Sequence, residues 1–133
     1  MTGILEIQVL LKKMRPVLDR TEYVFSTKKC FQMDEEIIVL NPIATFLESE
    51  GMTIVVSKTK ADRHEISYDT IFNKITLEVH SSLAAVGLTA AVSTALASRN
   101  ISANVVAGYY HDHIFIPKDK ADIALETLEG LTE

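Results

Sequence analysis

A surplus of basic side chains is what this 133-residue sequence most clearly lacks: 13 Lys and Arg stand against 18 Asp and Glu, a formal net charge of −5. Nucleic-acid modules neutralise phosphates with Lys and Arg, so no nucleic-acid partner is expected. Cysteine is nearly absent too, and the single Cys30 has no partner for an internal disulfide, which suits a reducing, cytoplasmic setting. There is no Gly-x-x-x-x-Gly-Lys, no Gly-x-Gly-x-x-Gly, no Cys-x-x-Cys and no Gly-x-Ser-x-Gly. Phosphate loops, redox pairs and nucleophile elbows are thereby missing, and neither a cofactor nor catalysis is expected.

Formal charge is absent from one long stretch as well, since between Glu78 and Asp112 only Arg99 carries it. Such a stretch must be core, interface, membrane or cleft. The uncharged run from Val79 to Ser98 is about long enough to cross a bilayer, yet it contains Ser81, Ser82, Thr89, Ser93, Thr94 and Ser98 and no aromatic belt. It is read as buried in protein, with no membrane partner. Nor does the start resemble a signal peptide: Glu6 and Gln8 interrupt its apolar stretch, and no basic region precedes it.

What is present is an ordinary globular composition, 47% hydrophobic and 23% charged, in a length that allows one compact unit or two very small ones. Ile4, Ile7, Leu11 and Met14 recur at near-helical spacing until Pro16, predicting an amphipathic opening helix. Residues 22–28 read as a strand and Ile37 to Leu40 as a second short one. Pro42, Ile43, Phe46 and Leu47, with Gly51 beyond, describe a helix of two to three turns with a glycine stop. A strand over 52–56, a short helix within 58–65 and a long or broken strand over 66–79 follow. The helical stripe Leu88, Val92, Ala95 and Leu96 ends near Asn100; strands at 101–107 and 114–116 flank a turn, and Ala121, Ala124, Leu125 and Leu128 mark a last helix.

Lys58-Thr-Lys-Ala-Asp62 returns sixty positions later as Lys118-Asp-Lys-Ala-Asp122, each copy directly after an apolar strand. The halves read as a duplication. Leu47 to Thr53 also matches Leu96 to Ser102 at a shorter offset, as though the second half kept a hairpin strand that the first lost. The second half runs strand, helix, strand, strand, helix, the split βαβ order of a ferredoxin-like fold. The expected class is α+β: tandem ferredoxin-like βαββαβ units, each an antiparallel sheet with its helices packed on one face. The expected divisions are a helical segment at 1–20, an abbreviated half at 21–69 and a second unit at 70–133. Units this small bury little alone, so a homo-oligomer, most simply a homodimer, is expected.

Val86-Gly-Leu-Thr-Ala-Ala-Val-Ser-Thr-Ala-Leu96 followed by Asn100-Ile-Ser-Ala-Asn-Val-Val106 resembles the ACT-domain pattern: a glycine, an alanine-rich helix and an Asn-Ile strand entry. The strings His80 to Val92, Asn104 to His113 and Ala44 to Thr53 together resemble small bacterial double-ACT proteins of unknown function. That resemblance implies tandem ACT-like units related to the regulatory domains of aspartokinases and arginine sensors. It also implies a small-molecule effector, most simply an amino acid, bound without any catalytic residue.

For such an effector the segment joining a strand to the Ala-rich helix is the candidate seat, because a helix start offers free backbone N–H groups and a positive dipole end to a carboxylate. The candidate ligand-binding residues are His80, Ser81, Ser82, Gly87, Leu88 and Thr89, with Asn104 on the next strand able to receive an amino group through its carbonyl oxygen. Against this stands a plain structural role, with Ser82 as a helix cap and Gly87 fitting a turn. Small residues Ala90, Ser93, Thr94 and Ala97 would let another helix approach. His111-Asp112-His113 is a tempting metal motif, with His111 and His113 on one face of a strand and His80 as a third candidate. A hairpin whose histidines bond to neighbours explains it better, and no metal is expected. The readings therefore rank as effector-binding module, then interaction module without a ligand, then His-dependent metal enzyme.

Overall fold

The computed structural model describes residues 2–78 and 85–132. Its elements in chain order are α1 (Thr2–Lys13), β1 (Arg15–Lys28), α2 (Glu35–Leu40), β2 (Ala44–Glu48), β3 (Gly51–Ser57), α3 (Lys58–Arg63), β4 (Phe72–Glu78), α4 (Ala85–Ser98), β5 (Asn104–Ala107), β6 (Asp112–Pro117), a short 3-10 turn (Lys118–Lys120) and α5 (Ala121–Leu131). Contacts divide the chain into two units, one of residues 1–20 and 73–133 and the other of residues 21–72. Each is an antiparallel sheet with helices on one face, so the chain is a tandem of ferredoxin-like units, and strand β1 contributes its first part to one and its second part to the other.

In the unit of residues 1–20 and 73–133 the strand order is β1-β4-β6-β5. Arg15 faces Glu78 at 3.9 Å and Lys74 faces Asp19 at 3.8 Å, so β1 and β4 run in opposite directions. The β4-α4-β5-β6-α5 series lacks the final strand of a βαββαβ unit, and residues 15–20 occupy that place. The N-terminal segment was expected as a separate helical piece; instead its β1 residues complete this sheet. Ile75 and Leu77 on β4, and Ile114 and Ile116 on β6, alternate onto one face. They meet Leu88, Val92 and Leu96, spaced by four along α4, and Ala124 and Leu128 on α5. Burying each of the Val, Leu and Ile side chains among them stabilises by roughly 1.5–3 kcal/mol.

Helix α4 stops as its sequence predicts. Asn100 adopts the left-handed region at φ 58°, the Ile101 N–H reaches Leu96 O at 3.0 Å, and the Asn100 N–H reaches Ala97 O at 2.9 Å. This paired closure satisfies the terminal carbonyls.

In the unit of residues 21–72 the order is β2-β3-β1, antiparallel throughout, with Val24 opposite Val56 and Thr45 opposite Ile54. Its core joins Val24, Ile54 and Val56 to Ile37 and Leu40 of α2 and Ala61 of α3. Two sequence expectations fail here. Ile37 to Leu40 lies in a helix, because Asp34 Oδ1 accepts the Ile37 N–H at 2.9 Å, Glu35 and Glu36 favour the positive end, and Ile37 and Leu40 are buried one turn apart. Residues 43–48 form no helix: Asn41, at φ 47°, ends α2, and Phe46 and Leu47 are exposed on a strand. Gly51 opens β3 directly after the β2–β3 turn rather than stopping a helix; its φ is 145°, and a Cβ there would stand 2.5 Å from Lys28 O.

The first half therefore keeps its hairpin, and its abbreviated element is α2, six residues against fourteen in α4. The match of Leu47–Thr53 to Leu96–Ser102 joins a strand turn to a helix end and marks no equivalence. The sixty-residue repeat does: Lys58 opens the helix after β3, and Lys118 opens the turn and helix after β6.

Candidate functional site

The candidate residues within the described structure lie on α4 and the β5–β6 hairpin, while His80, Ser81 and Ser82 fall outside the described residues. The described part of helix α4 is Ala85–Ser98, so Gly87 and Leu88 lie in its first described turn. Gly87 sits against α1: a Cβ at this position would stand 2.9 Å from Ile7 Cγ1. Leu88 is buried in the core at 2% exposure. Their side-chain positions thus serve packing, and only their backbone can meet a ligand.

Thr89 is placed differently. Its Oγ1 donates to Asp112 Oδ2 at 3.4 Å, linking α4 to the start of β6. Alternation puts Asp112 on the helix side with Ile114 and Ile116 and turns His113 to the other face. There His113 Nδ1 lies 2.9 Å from Thr76 Oγ1 on β4. Burial, helped by Lys74 and His111, lowers the His113 pKa, with Asp112 opposing, which favours the neutral ring.

Asn104 pairs with Phe115 along the ladder and donates from Nδ2 to Phe115 O at 3.5 Å. The Ala107–Asp112 pair lies three positions away, which is about 10 Å at the rise of a strand. Asn104 therefore stands well along the hairpin from the Thr89–Asp112 contact. Between β5 and β6 the Gly108 N–H donates to His111 O at 2.9 Å, and Tyr109 and Tyr110 meet edge to face at a centroid distance of 5.0 Å. Tyr109 and Tyr110 are both exposed. Among the described residues no three His, Cys, Asp or Glu side chains converge as metal ligands, and no helix is long and apolar enough to cross a membrane.

Sequence reasoning missed two concavities in the unit of residues 21–72. One, of about 720 Å³, opens between Phe25–Lys28 of β1 and residues 65–69, where Ser26 Oγ donates to Ser67 O at 2.7 Å. A second, of about 380 Å³, lies where Tyr23, Asn41, Ser57 and Lys60 meet. Beside the first, Asp62 accepts from Lys58 at 2.8 Å and from the Tyr68 hydroxyl at 2.7 Å. Those bonds lower the Asp62 pKa and raise those of Lys58 and Tyr68. No motif marks these clefts, because each is assembled from strand and loop residues distant in sequence.

Known proteins agree with this architecture. One ACT-domain family model matches residues 2–73 and another matches residues 69–130. A Vibrio cholerae protein of unknown function, described as a possible transport protein, is 46% identical, with a TM-score of 0.89 over 98% of this chain and 99% of that one. An Agrobacterium tumefaciens protein shares the fold at a TM-score of 0.71 and 11% identity, over 90% of this chain and 89% of that one. The regulatory subunit of aspartate kinase from Thermus thermophilus, in its ligand-free form, does so at 0.64 and 13% identity, over 89% and 96%. Among curated proteins none matches. With a βαββα pattern twice along the chain and an ACT-domain match over each half, this chain belongs to the ACT-domain family.

Proposed function

We propose that this chain is a non-catalytic regulatory module of the cytoplasm that binds a small effector, most simply a free amino acid, and works as a homo-oligomer. The effector carboxylate would meet the N-terminal end of α4, through the backbone of Gly87 and Leu88 and the hydroxyls of Ser81, Ser82 and Thr89, with His80 alongside. Asn104, about 10 Å along the hairpin and on the sheet face away from α4, would take part by receiving, through its side-chain oxygen, the amino group of an effector held against a second copy of the chain. The pair of ACT-domain matches spanning residues 2–73 and 69–130 is the observation that carries this reading. The reach of Thr89 to Asp112 supports it, because that contact ties the helix start to the hairpin.

A second reading, an interaction module without a ligand, draws on the packing roles of Gly87 and Leu88. Calorimetric titration with individual amino acids separates the two. Effector binding predicts saturable heat with one amino acid or a few related ones. Asn104→Ala and Thr89→Val should each weaken it by roughly tenfold or more, the worth of a hydrogen bond to a charged group. Heat that is absent for every amino acid leaves the interaction module as the reading.

A further inference from the structure

The smaller concavity of the unit of residues 21–72, about 380 Å³, falls within the size range of small-molecule sites. Its wall carries one formal charge, the ammonium of Lys60, and no carboxylate, in a chain whose net charge is −5. Lys58 and Lys60 share α3 but differ in what they meet. Lys58 pairs with Asp62 at 2.8 Å, and Asp62 also accepts from the Tyr68 hydroxyl. Lys60 meets no carboxylate among the described residues. Its Nζ donates to Val39 O at 3.4 Å, a long bond that occupies one of three N–H groups.

Around the loop that closes α2 the backbone donors are already used. The Asn41 N–H goes to Ile38 O and the Ile43 N–H to Val55 O, Pro42 has none, and the Lys60 N–H goes to Ser57 Oγ at 3.2 Å. An anion here is therefore met by side chains: Lys60 first, then the Ser57 hydroxyl, whose own O–H remains to donate, and the Asn41 amide. Leu40, Pro42 and Ile43 give the same concavity an apolar side. One ammonium suits one negative charge, and a ligand ammonium would lose water here without a carboxylate to pair with. We infer that this concavity binds a small aliphatic monocarboxylate that lacks an amino group. Its carboxylate takes the two remaining N–H groups of Lys60, and its hydrocarbon lies against Leu40, Pro42 and Ile43. This site belongs to the unit of residues 21–72 and requires neither the effector seat at α4 nor a second copy of the chain.

The duplication supplies an internal comparison. In the sixty-residue repeat Lys60 corresponds to Lys120 and Ser57 to Pro117. Pro117 has no hydroxyl, and the turn that follows it has no side-chain cap, whereas Ser57 caps α3. The pairing of a hydroxyl with an ammonium is thus confined to the first copy, and Lys120 is the matched control for Lys60.

Titration of the whole chain with isocaproate, followed by backbone amide NMR and with circular dichroism as the control for folding, tests the site. Isocaproate should give saturable shifts centred on Asn41, Ser57 and Lys60. Lys60→Met keeps the apolar stem and should weaken binding by roughly tenfold or more, the worth of a hydrogen bond to a charged group. Lys120→Met should leave it unchanged. Isocaproamide, which lacks the charge, and leucine, the same carbon skeleton with an ammonium, should each bind at these residues at least about tenfold more weakly. Asn104→Ala should not alter the isocaproate response, so this site and the effector seat are read separately. No saturation at millimolar isocaproate would overturn the inference. So would equal binding by the folded Lys60→Met variant, or equal binding of isocaproamide or leucine at these residues; none of these results bears on the effector seat at α4.

Discussion

Ile7 of α1 fills the space that a side chain at Gly87 of α4 would need, its Cγ1 lying 2.9 Å from where a Cβ would stand and its Cδ1 nearer still. Two helices far apart in sequence are thereby held close in the unit that also contains β4, β5 and β6. Gly87 occupies the first described turn of α4, so the same glycine sets how that turn is seated.

Gly87→Ala should therefore destabilise the fold although alanine is the better helix former. Forcing a methyl group into a filled site costs about 1–3 kcal/mol, and the gain in helix propensity offsets about 1 kcal/mol of it. A net loss near 1 kcal/mol lowers the melting temperature by about 4 °C for a chain of this size. Ile7→Ala opens the space, so the double variant should lose less than the sum of the single losses in a thermal-melt cycle.

Asn100 gives a second prediction. It holds φ 58° where α4 closes on Ile101, so Asn100→Ala should cost about 1 kcal/mol and Asn100→Gly should be nearly neutral. Denaturant midpoints of the two variants against wild type check the order.

Acid sensitivity follows from His113. Its folded-state pKa is lowered, first by burial and then by Lys74 and His111, while the unfolded chain keeps the ordinary value near 6.5. Above that value the ring is neutral in both states and contributes no pH dependence. As pH falls through it the unfolded chain binds the proton first, so stability declines until the lower folded-state value is passed. Urea midpoints between pH 8 and pH 5 should fall less steeply for His113→Gln than for wild type.

Much of the fold was legible because periodicity and core coincide. Leu88, Val92 and Leu96 are spaced by four and buried, and Asn100 stops α4 where the sequence places the stop. Reading fails where no core enforces the pattern. Ile37 to Leu40 looks like a strand because β-branched residues dominate it, yet the Asp34 cap and two buried positions make it a helix. Phe46 and Leu47 look like a helical stripe but cover nothing within the described chain. The use of residues 15–20 as the last strand of the other unit was hidden because strand pairing is long-range and leaves no local signature. Of the candidate site, Thr89 and Asn104 are where strand and helix order put them. The packing of Gly87 against Ile7 was not readable, since a glycine in a turn and a glycine under a neighbouring side chain look alike in sequence.

Effector binding itself is tested most directly by thermal unfolding of the whole chain in the presence of each standard amino acid. A ligand that binds only the folded state adds about 2.7 kcal/mol at a hundred times its dissociation constant. At that saturation the melting temperature should rise by roughly 10 °C with one amino acid or a chemically related few, and the rise should follow ligand concentration. In Asn104→Ala the shift should shrink. A melting temperature that no amino acid moves, even at millimolar concentration, would contradict the account.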